Sequence, residues 1–299
     1  MAPAGGADGH PAVRYRVRHL TTYRYTEPVL VSHHAAHLRP RLVAGQSVSD
    51  ISLRIRPEPE VLQDGQVDYF GNPTTFFTVQ APHRTLEIEA AFLVDNGQQG
   101  SFRPRDSIAW DAFDANAAPP GDQVMDFRFA SAQVPLLAEA AAYAAPSFAP
   151  GRPLVQAVFD LIGRIHADFA YDPGATTVGT PVQAVFRERR GVCQDFAHLG
   201  IACLRSMGLS ARYVSGYIRT LAPPGGVKLV GADASHAWLS VYVPGWGWLD
   251  LDPTNNVAVG PDHVTVAWGR DYDDVSPLRG VVLGGGHHAI HVAVDVEEA

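Results

Sequence analysis

The sequence predicts an α+β fold in which an all-β N-terminal region precedes a region of helices and an antiparallel sheet. Two observations lead to this prediction. From Val13 to about Asp95, β-forming residues alternate with polar ones, whereas helical periodicity begins near residue 134 and gives way to strands after residue 209. A chain of 299 residues also has the usual length of two domains.

Four segments of the N-terminal region have the alternation of strands: YRVRHLTTYRY, VSDISLRIRP, GNPTTFFTVQAP and RTLEIEAAFLVDNG. Little helix separates them, so we expect a β-sandwich-like domain over residues 13–95. Residues 1–12 are small and polar, which predicts a disordered tail. Residues 96–133 are rich in Gly, Pro, Asp and Ala, which predicts a linker.

Residues 134–299 form the predicted core of the protein. Four of its segments have helical periodicity, and the last of them ends before Gly208, a common signal for the end of a helix. We expect helices at 134–145, 153–169, 181–189 and 192–207, then strands at 210–220, 235–243 and 246–252, and more strand in the C-terminal tail.

The composition is that of a globular protein and argues against several functions. The net charge of −8 disfavours general nucleic-acid binding, which requires a basic surface. The chain starts without the apolar run of a signal peptide, and no segment has the roughly 18 consecutive apolar residues of a membrane span. Cys193 and Cys203 match no zinc or disulfide pattern, so we expect a reduced, cytoplasmic protein without membrane association.

Cys193 has the features of a candidate nucleophile. It begins the apolar stripe of the segment GVCQDFAHLGIACLRSMG, so its thiol lies at the start of a predicted helix. The partial positive charge and free N–H groups at a helix N-terminus favour a thiolate and can bind an oxyanion. No capping residue precedes Cys193 within four positions. The alternative is a small buried core residue, which is the interpretation we prefer for Cys203.

The segment SHAWLSVYVPGWGWLDLDPT predicts a hairpin that joins His236 to a carboxylate. Pairing Tyr242 with Trp246 keeps like faces together and places His236 opposite Asp252, with Val243, Pro244 and Gly245 as the loop. Opposed Cβ atoms lie about 4.5–5.5 Å apart, which suits a carboxylate–imidazole hydrogen bond. Asp250 is then the diagonal neighbour and the weaker candidate. A core histidine bonded to a carboxylate is the alternative.

Three motifs in this order resemble the transglutaminase-like superfamily of thiol enzymes: Gly191-Val192-Cys193, His236-Ala237-Trp238 and Asp252-Pro253-Thr254. The segments GVCQDFAHLGIACLRSMGLSARYVSGYI and GRDYDDVSPLRG narrow the resemblance to bacterial transglutaminase-like cysteine proteases, and residues 13–95 resemble their N-terminal domain. The resemblance implies a papain-like core, no organic cofactor, and a catalytic triad of Cys193, His236 and Asp252.

Such a triad implies attack of a thiolate on a peptide or carboxamide carbonyl, with a thioester intermediate. Water as the acceptor would make the protein a protease or amidase, which we favour. An amine acceptor would make it a crosslinking transglutaminase. Two alternatives from other classes are an inactive peptide-binding scaffold and a metal-dependent hydrolase. The expected partner is a protein or peptide substrate. The sequence indicates neither its identity nor the oligomeric state.

Two departures from the superfamily affect the oxyanion site. Many members have Trp before the cysteine, where this chain has Val192, and no acidic calcium loop is present in the sequence. The second oxyanion donor is therefore unidentified, with Tyr171 as the candidate. The histidine clusters at 33–37 and 287–291 lack the spacing of a zinc site, so we expect no metal. We expect His198 to be structural.

Overall fold

The computed structural model describes residues 12–97, 107–114, 123–220 and 234–299. Within these ranges the chain has an N-terminal β region and a core of helices and antiparallel strands, which confirms the predicted α+β fold. Residues 1–11 of the predicted tail and most of the predicted linker between 98 and 122 lie outside the described residues. No helix in the described ranges is long and apolar enough to cross a membrane.

The N-terminal sheet is built around one long strand. Strand β1 has 24 residues, and its buried positions alternate with exposed ones because successive side chains point to opposite faces. The strands are β1 (Val13–Ala36), β2 (Gln46–Arg56), β3 (Val61–Val67), β4 (Pro73–Val79) and β5 (His83–Asn96), in the order β2-β5-β1-β4-β3. All of these pairs are antiparallel.

The end of the chain returns to this sheet. Strands β13 (Leu278–Gly284) and β14 (His288–Glu298) both pair antiparallel with β1, on the edge that β4 and β5 leave open. Tyr15 is aligned with Glu298, so the first and last strands are direct neighbours. The predicted core, residues 134–299, thus includes two strands that hydrogen-bond to the N-terminal region.

The helices lie where the periodicity predicts them, within a few residues at each end. They are α1 (Ala138–Ala144), α2 (Leu154–Asp168), α3 (Val182–Glu188) and α4 (Cys193–Ser206). A short fifth helix, α5 (Tyr272–Val275), was not predicted. Helix α4 is central, and nearly all of its residues after the first turn are buried. It packs against the second sheet so closely that a Cβ on Gly200 would approach Leu239 Cδ2 to 2.4 Å. A side chain at this crossing would force Leu239 to shift.

The second sheet holds the predicted hairpin at its centre. Its strands are β8 (Ala211–Ile218), β9 (Ala234–Val243), β10 (Gly247–Asp252), β11 (Val257–Ala258) and β12 (His263–Gly269), in the order β11-β10-β9-β8-β12. Strand β12 was not predicted. A separate pair of short parallel strands, β6 (Ala170–Tyr171) and β7 (Arg190–Gly191), lies beside the start of α4.

Side-chain amides of the N-terminal region cover the free edge of β12. Gln46 accepts a hydrogen bond from Thr265 N and donates one to Thr265 O, both at 2.8 Å. Asn72 does the same with the backbone N–H and carbonyl of Trp268, at 2.9 and 2.8 Å. Because these amides replace a neighbouring strand, they satisfy the edge of the sheet and fix the two regions against each other.

Candidate active site

Cys193 is the first residue of α4, as the sequence predicts. Val192 precedes it in an extended conformation, and no side chain caps the helix from that position. The thiol is partly exposed, whereas Cys203 is fully buried on the same helix. Burial raises the pKa of the Cys203 thiol to about 12, which disfavours its thiolate and leaves Cys193 as the candidate nucleophile.

Asp195 secures the turn that carries Cys193, and sequence reasoning missed it. Its Oδ2 accepts hydrogen bonds from Val192 N at 2.8 Å and from Thr176 Oγ1 at 2.6 Å. Burial raises the pKa of Asp195, and these two hydrogen bonds offset that effect only in part. An acidic residue three positions after the residue that precedes the helix is half of a capping box, which was the available signal.

Gly191 makes room for this arrangement. A Cβ at Gly191 would lie 2.7 Å from Asp195 Oδ2 and 2.8 Å from its Cβ, closer than non-bonded atoms approach. The glycine of the Gly-x-Cys motif therefore lets the carboxylate pack under the backbone that leads into the helix. The glycine of this motif therefore has a steric role that is separate from the chemistry of the thiol.

The hairpin register differs from the predicted one by two residues. Tyr242 pairs with Trp248 rather than with Trp246, so the predicted pairing was wrong. Pro244 and Gly245 occupy the centre of a tight turn closed by Trp246 N and Val243 O at 2.9 Å, and Gly245 has a φ of 82°. Pairing starts only after this turn, with Val243 opposite Gly247.

A shift of two residues preserves the face of every side chain, so His236 and Asp252 still meet. His236 Nε2 lies 2.7 Å from Asp252 Oδ2, and both side chains are buried. A carboxylate only accepts, so Nε2 carries the proton and Nδ1 is left for the thiol. Burial alone would lower the pKa of His236, but its hydrogen bonds with Asp252 and Cys193 raise the pKa to about 9.

Both oxygens of the Asp252 carboxylate accept hydrogen bonds. Its Oδ1 accepts from the backbone N–H groups of Thr254 and Asn255 at 2.9 and 3.1 Å. Its Oδ2 accepts from the Asn255 side chain at 2.6 Å as well as from His236. Burial alone would raise the pKa of Asp252, but the hydrogen bonds hold it well below its usual range. The group is therefore a fixed negative charge.

A second histidine reaches the same oxygen. His263 Nε2 lies 3.1 Å from Asp252 Oδ2, and its ring is buried. Sequence reasoning missed His263 together with its strand, although HVTVAWG has the alternation of a β-strand.

Two tyrosines lie beside Cys193. Tyr171 pairs with Gly191 through the short parallel strands, and its side chain is 56% exposed. Burial of part of the ring and the nearby Cys193 raise the pKa of the Tyr171 phenol. Burial and then Cys193 do the same for Tyr213, whose ring is fully enclosed. Both phenols are thus protonated donors at neutral pH, and Tyr171 is the one that faces solvent.

Two other sequence candidates lie outside this cluster. Asp250 is buried and accepts a long hydrogen bond of 3.4 Å from Trp238 Nε1, so it does not contact His236 directly. His198 is buried and accepts a hydrogen bond from Tyr272 N at 3.1 Å. Burial lowers the pKa of His198 to about 4, which keeps it a neutral acceptor, in agreement with a structural role.

His236, Asp252 and His263 are also the one group of three potential metal ligands in the described ranges whose ligand atoms lie within 4.8 Å of each other. Both Nε2 atoms, however, carry the protons that they donate to Asp252. The arrangement therefore satisfies itself by hydrogen bonds. The histidines at 33–37 and 287–291 do not belong to any such group among the described residues.

The protein belongs to the transglutaminase-like superfamily. Residues 15–95 match the family model of the bacterial transglutaminase-like N-terminal region, and residues 141–253 match that of the transglutaminase-like superfamily. Both matches agree with the resemblance that the three motifs indicate. The matched core segment includes the thiol, the imidazole and the carboxylate described above.

Full-length relatives occur in mycobacteria. An uncharacterized protein of Mycobacterium tuberculosis is 42% identical over 291 residues, which cover 95% of this chain and 92% of the relative. An uncharacterized protein of Mycobacterium leprae is 34% identical over 290 residues, or 95% and 98% of the two chains. A protein-glutamine gamma-glutamyltransferase of Pseudomonas aeruginosa is 32% identical over 127 residues, 36% of this chain and 19% of that protein.

One solved structure has the same fold over nearly the whole chain. It is the crystal structure of a putative cysteine protease from Cytophaga hutchinsonii, with a TM-score of 0.74 and 22% sequence identity. The match covers 97% of this chain and 93% of that one. The papain-like fold with its N-terminal β region is therefore shared by both proteins.

Proposed function

We propose that this protein is a cysteine-dependent acyl-transfer enzyme that cleaves peptide or carboxamide bonds with a triad of Cys193, His236 and Asp252. The observation that carries the proposal is the position of the His236 imidazole. One nitrogen donates to a buried carboxylate at 2.7 Å, and the ring also hydrogen-bonds to the partly exposed thiol at the start of α4. A nucleophile, a base and a group that orients the base are thus in contact.

In the proposed reaction, His236 Nδ1 accepts the proton of the Cys193 thiol, and the thiolate attacks the carbonyl carbon. The backbone N–H groups at the start of α4 stabilise the oxyanion, and the Tyr171 hydroxyl is our candidate for the second donor. The imidazolium then protonates the leaving amine, which leaves a thioester on Cys193. An acceptor molecule gives its proton to His236 and releases the acyl group.

Water is the acceptor that we favour, so the enzyme would be a protease or amidase. A site that excludes water would favour an amine, whereas an open site would favour water. Trp238 is fully buried beneath the histidines. Trp248 packs against Phe127 and Tyr242. Tyr171 beside Cys193 is 56% exposed, which supports access of water.

Amine transfer is the second candidate, and one observation favours it. A relative of the core segment is named a protein-glutamine gamma-glutamyltransferase. The two acceptors can be compared in one assay that offers a glutamine-containing peptide with and without a primary amine. Release of ammonia without amine incorporation supports hydrolysis, whereas incorporation that exceeds hydrolysis supports the transglutaminase.

The reactivity of Cys193 tests the triad before any substrate is known. In a Cys203→Ala background, the rate of alkylation by iodoacetamide is measured from pH 4 to 10, with and without His236→Ala. We expect fast alkylation at pH 6 that falls on the order of 100-fold in His236→Ala, because an ordinary thiol near pKa 8.5 is almost fully protonated there. Equal rates in both proteins would leave the peptide-binding scaffold as the better explanation.

Two further expectations accompany this proposal. The free state of both cysteines supports a reducing compartment, and we propose the cytoplasm. A thiol enzyme also keeps its activity in a chelator, whereas a metal-dependent hydrolase loses it. Incubation with EDTA before the peptide assay therefore separates the two classes of enzyme.

A further inference from the structure

Two histidines share one oxygen of Asp252. His236 Nε2 and His263 Nε2 lie 2.7 and 3.1 Å from Oδ2, and their ring centroids are 6.0 Å apart. Only His236 also interacts with Cys193. The proposed triad thus gives His263 no role, although His263 contacts the same buried carboxylate as His236.

The surroundings of His263 fix the direction of its hydrogen bond. The backbone N–H of Gly260 points at Nδ1 from 3.4 Å, so Nδ1 acts as the acceptor. The proton of the neutral ring then resides on Nε2 and is donated to Asp252. His263 therefore contacts the carboxylate through its Nε2–H, and His236 contacts the same oxygen through its own Nε2–H.

The position of His263 is fixed from several sides. Asn96 of the N-terminal sheet donates to the carbonyl of His263 at 2.6 Å and to that of Pro261 at 2.7 Å. Trp238 meets the imidazole edge-on, with 5.4 Å between ring centroids and an angle of 85°. The side chain is 6% exposed. The N-terminal sheet thus holds the backbone of His263, while Trp238 and Asp252 contact its ring, and a residue fixed in this way is suited to holding another group in place.

One carboxylate has a single negative charge, so it can neutralise one imidazolium and not two. A neutral donor on Oδ2 draws electron density from that oxygen and lowers its affinity for a proton. It also restricts the rotation of the carboxylate, whose Oδ1 is already held by Thr254 N and Asn255 N. Both effects act on the partner of the triad histidine without contact with the thiol.

We propose that His263 is a positioning residue of the triad, whose Nε2–H holds Asp252 ionised and oriented toward His236. The inference rests on the proposed function, because it assigns a role to His263 within that reaction. It predicts that the donated hydrogen bond, and not the aromatic ring or the charge of a histidine, is the property that the site requires.

Among the residues that the structure describes, few other ionisable groups lie around His236. Cys193 faces it from α4, Asp252 from β10 and His263 from β12. Asp250 is separated from it by Trp238, and Tyr171 and Tyr213 interact with Cys193. A change in the pH profile that follows substitution of His263 can therefore be assigned to the Asp252–His236 pair, provided that the fold is intact.

The test compares His263→Gln, which keeps a donor near the Nε2 position, with His263→Phe, which keeps a ring but removes the donor. Each is made in the Cys203→Ala background and assayed for Cys193 alkylation and peptide hydrolysis across pH. We expect the alkaline limb of hydrolysis to rise by about 0.5–1 pH unit in His263→Phe, because the less solvated carboxylate holds the imidazolium more tightly. His263→Gln should stay within about 0.2 unit of the parent protein, with a KM unchanged in both.

A second measurement needs no substitution at His263. Nitrogen NMR of the histidine-labelled parent protein at pH 8 should show His263 protonated at Nε2. Protonation at Nδ1 would overturn the proposal, as would equal shifts of the pH profile in His263→Gln and His263→Phe or no shift in either. Circular dichroism and thermal unfolding identify a variant that fails to fold, in which case the NMR result decides.

The two proposals fail in different ways. If Cys193 of the parent protein alkylates like an ordinary thiol, the triad itself is refuted and the role of His263 is refuted with it. If the parent protein shows the low-pH reactivity but the His263 variants keep its profile, only the positioning role is refuted.

Discussion

The carboxylate of Asp252 lies diagonally, and not directly, across the β9–β10 pair from the imidazole of His236, yet the two groups are 2.7 Å apart. The strands align Leu239 with Leu251, so the position opposite His236 would be residue 254, and Asp252 lies two residues before it. The imidazole spans this offset because it is the longer side chain. Each of the following predictions depends on a specific contact or distance between named atoms.

Replacement of Asp252 should reduce activity while leaving the thiol in place. We expect Asp252→Asn to lower kcat for peptide hydrolysis by on the order of 100-fold or more, because the amide neither balances the imidazolium nor fixes the proton on Nε2. The alkaline limb should fall from near the His236 pKa of about 9 toward the ordinary 6.5. Asp250→Asn is the matched control and should keep both values.

The raised pKa of His236 predicts how stability depends on pH. A group whose pKa is higher in the folded state stabilises the fold fully below its unfolded value, near 6.5, and loses that contribution as pH rises through about 9. Urea unfolding should therefore show a loss of a few kcal/mol between these limits that is absent in His236→Gln. A parallel dependence in both proteins would contradict the interpretation.

Two glycines inside helices should respond to alanine with opposite signs. At Gly200 the new methyl group would lie 2.4 Å from Leu239 Cδ2, so Gly200→Ala should destabilise the protein by about 1–3 kcal/mol. At Gly163, in α2, the nearest atom is 3.5 Å away, so Gly163→Ala should stabilise it by about 0.5–1 kcal/mol. Thermal unfolding of both variants measures the difference.

Gly191→Ala tests the support of the nucleophile. Its methyl group would displace the Asp195 carboxylate from Val192 and Thr176, so we expect alkylation of Cys193 to slow by about tenfold and stability to fall by about 1–3 kcal/mol. Gly179→Ala is the control, because no atom lies within 4 Å of its added Cβ. Equal rates in the two variants would show that Asp195 does not position the thiol.

Each amide contact between the two regions should contribute measurably to the stability of the fold. Gln46→Ala leaves the buried N–H and carbonyl of Thr265 unpaired, at a cost of about 1–3 kcal/mol per group. Gln46→Glu keeps the acceptor but places a buried carboxylate oxygen against the carbonyls of Thr265 and Arg41, so it should not restore the stability of the parent protein. Amide hydrogen exchange at Thr265 should accelerate in Gln46→Ala and stay slow in the parent protein.

Much of the candidate site was predictable because it depends on short-range periodicity. The helical stripe placed Cys193 at the start of α4, and the two-residue period of a strand placed His236 and Asp252 on one face. The pairing register was not predictable to the residue, because it depends on where the Pro244-Gly245 turn closes. A shift of two residues leaves every side chain on the same face of the sheet, so the alternation of the sequence cannot reveal it.

The remaining features depend on contacts between distant parts of the chain. His263 reaches Asp252 only because β12 pairs with β8 on the far side of the hairpin. Nothing in the segment around His263 specifies that pairing. Strands β13 and β14 were predicted as strands, but their partner, β1, lies more than 240 residues earlier in the chain. Whether such strands pair depends on the sequence of the partner strand as much as on the sequence of the segment itself.

The pairing of the first strand with the last has a mechanical consequence. Tyr15 is aligned with Glu298, and Ala299 N donates to Arg14 O at 2.9 Å, so the described chain enters and leaves the sheet at the same end. A stretching force applied at these two points would load the hydrogen bonds of β1 and β14 one after another, because in antiparallel pairs those bonds run perpendicular to the strands. The two strands would separate one hydrogen bond at a time at low force, and the candidate active site would bear no load until β1 and β14 had separated.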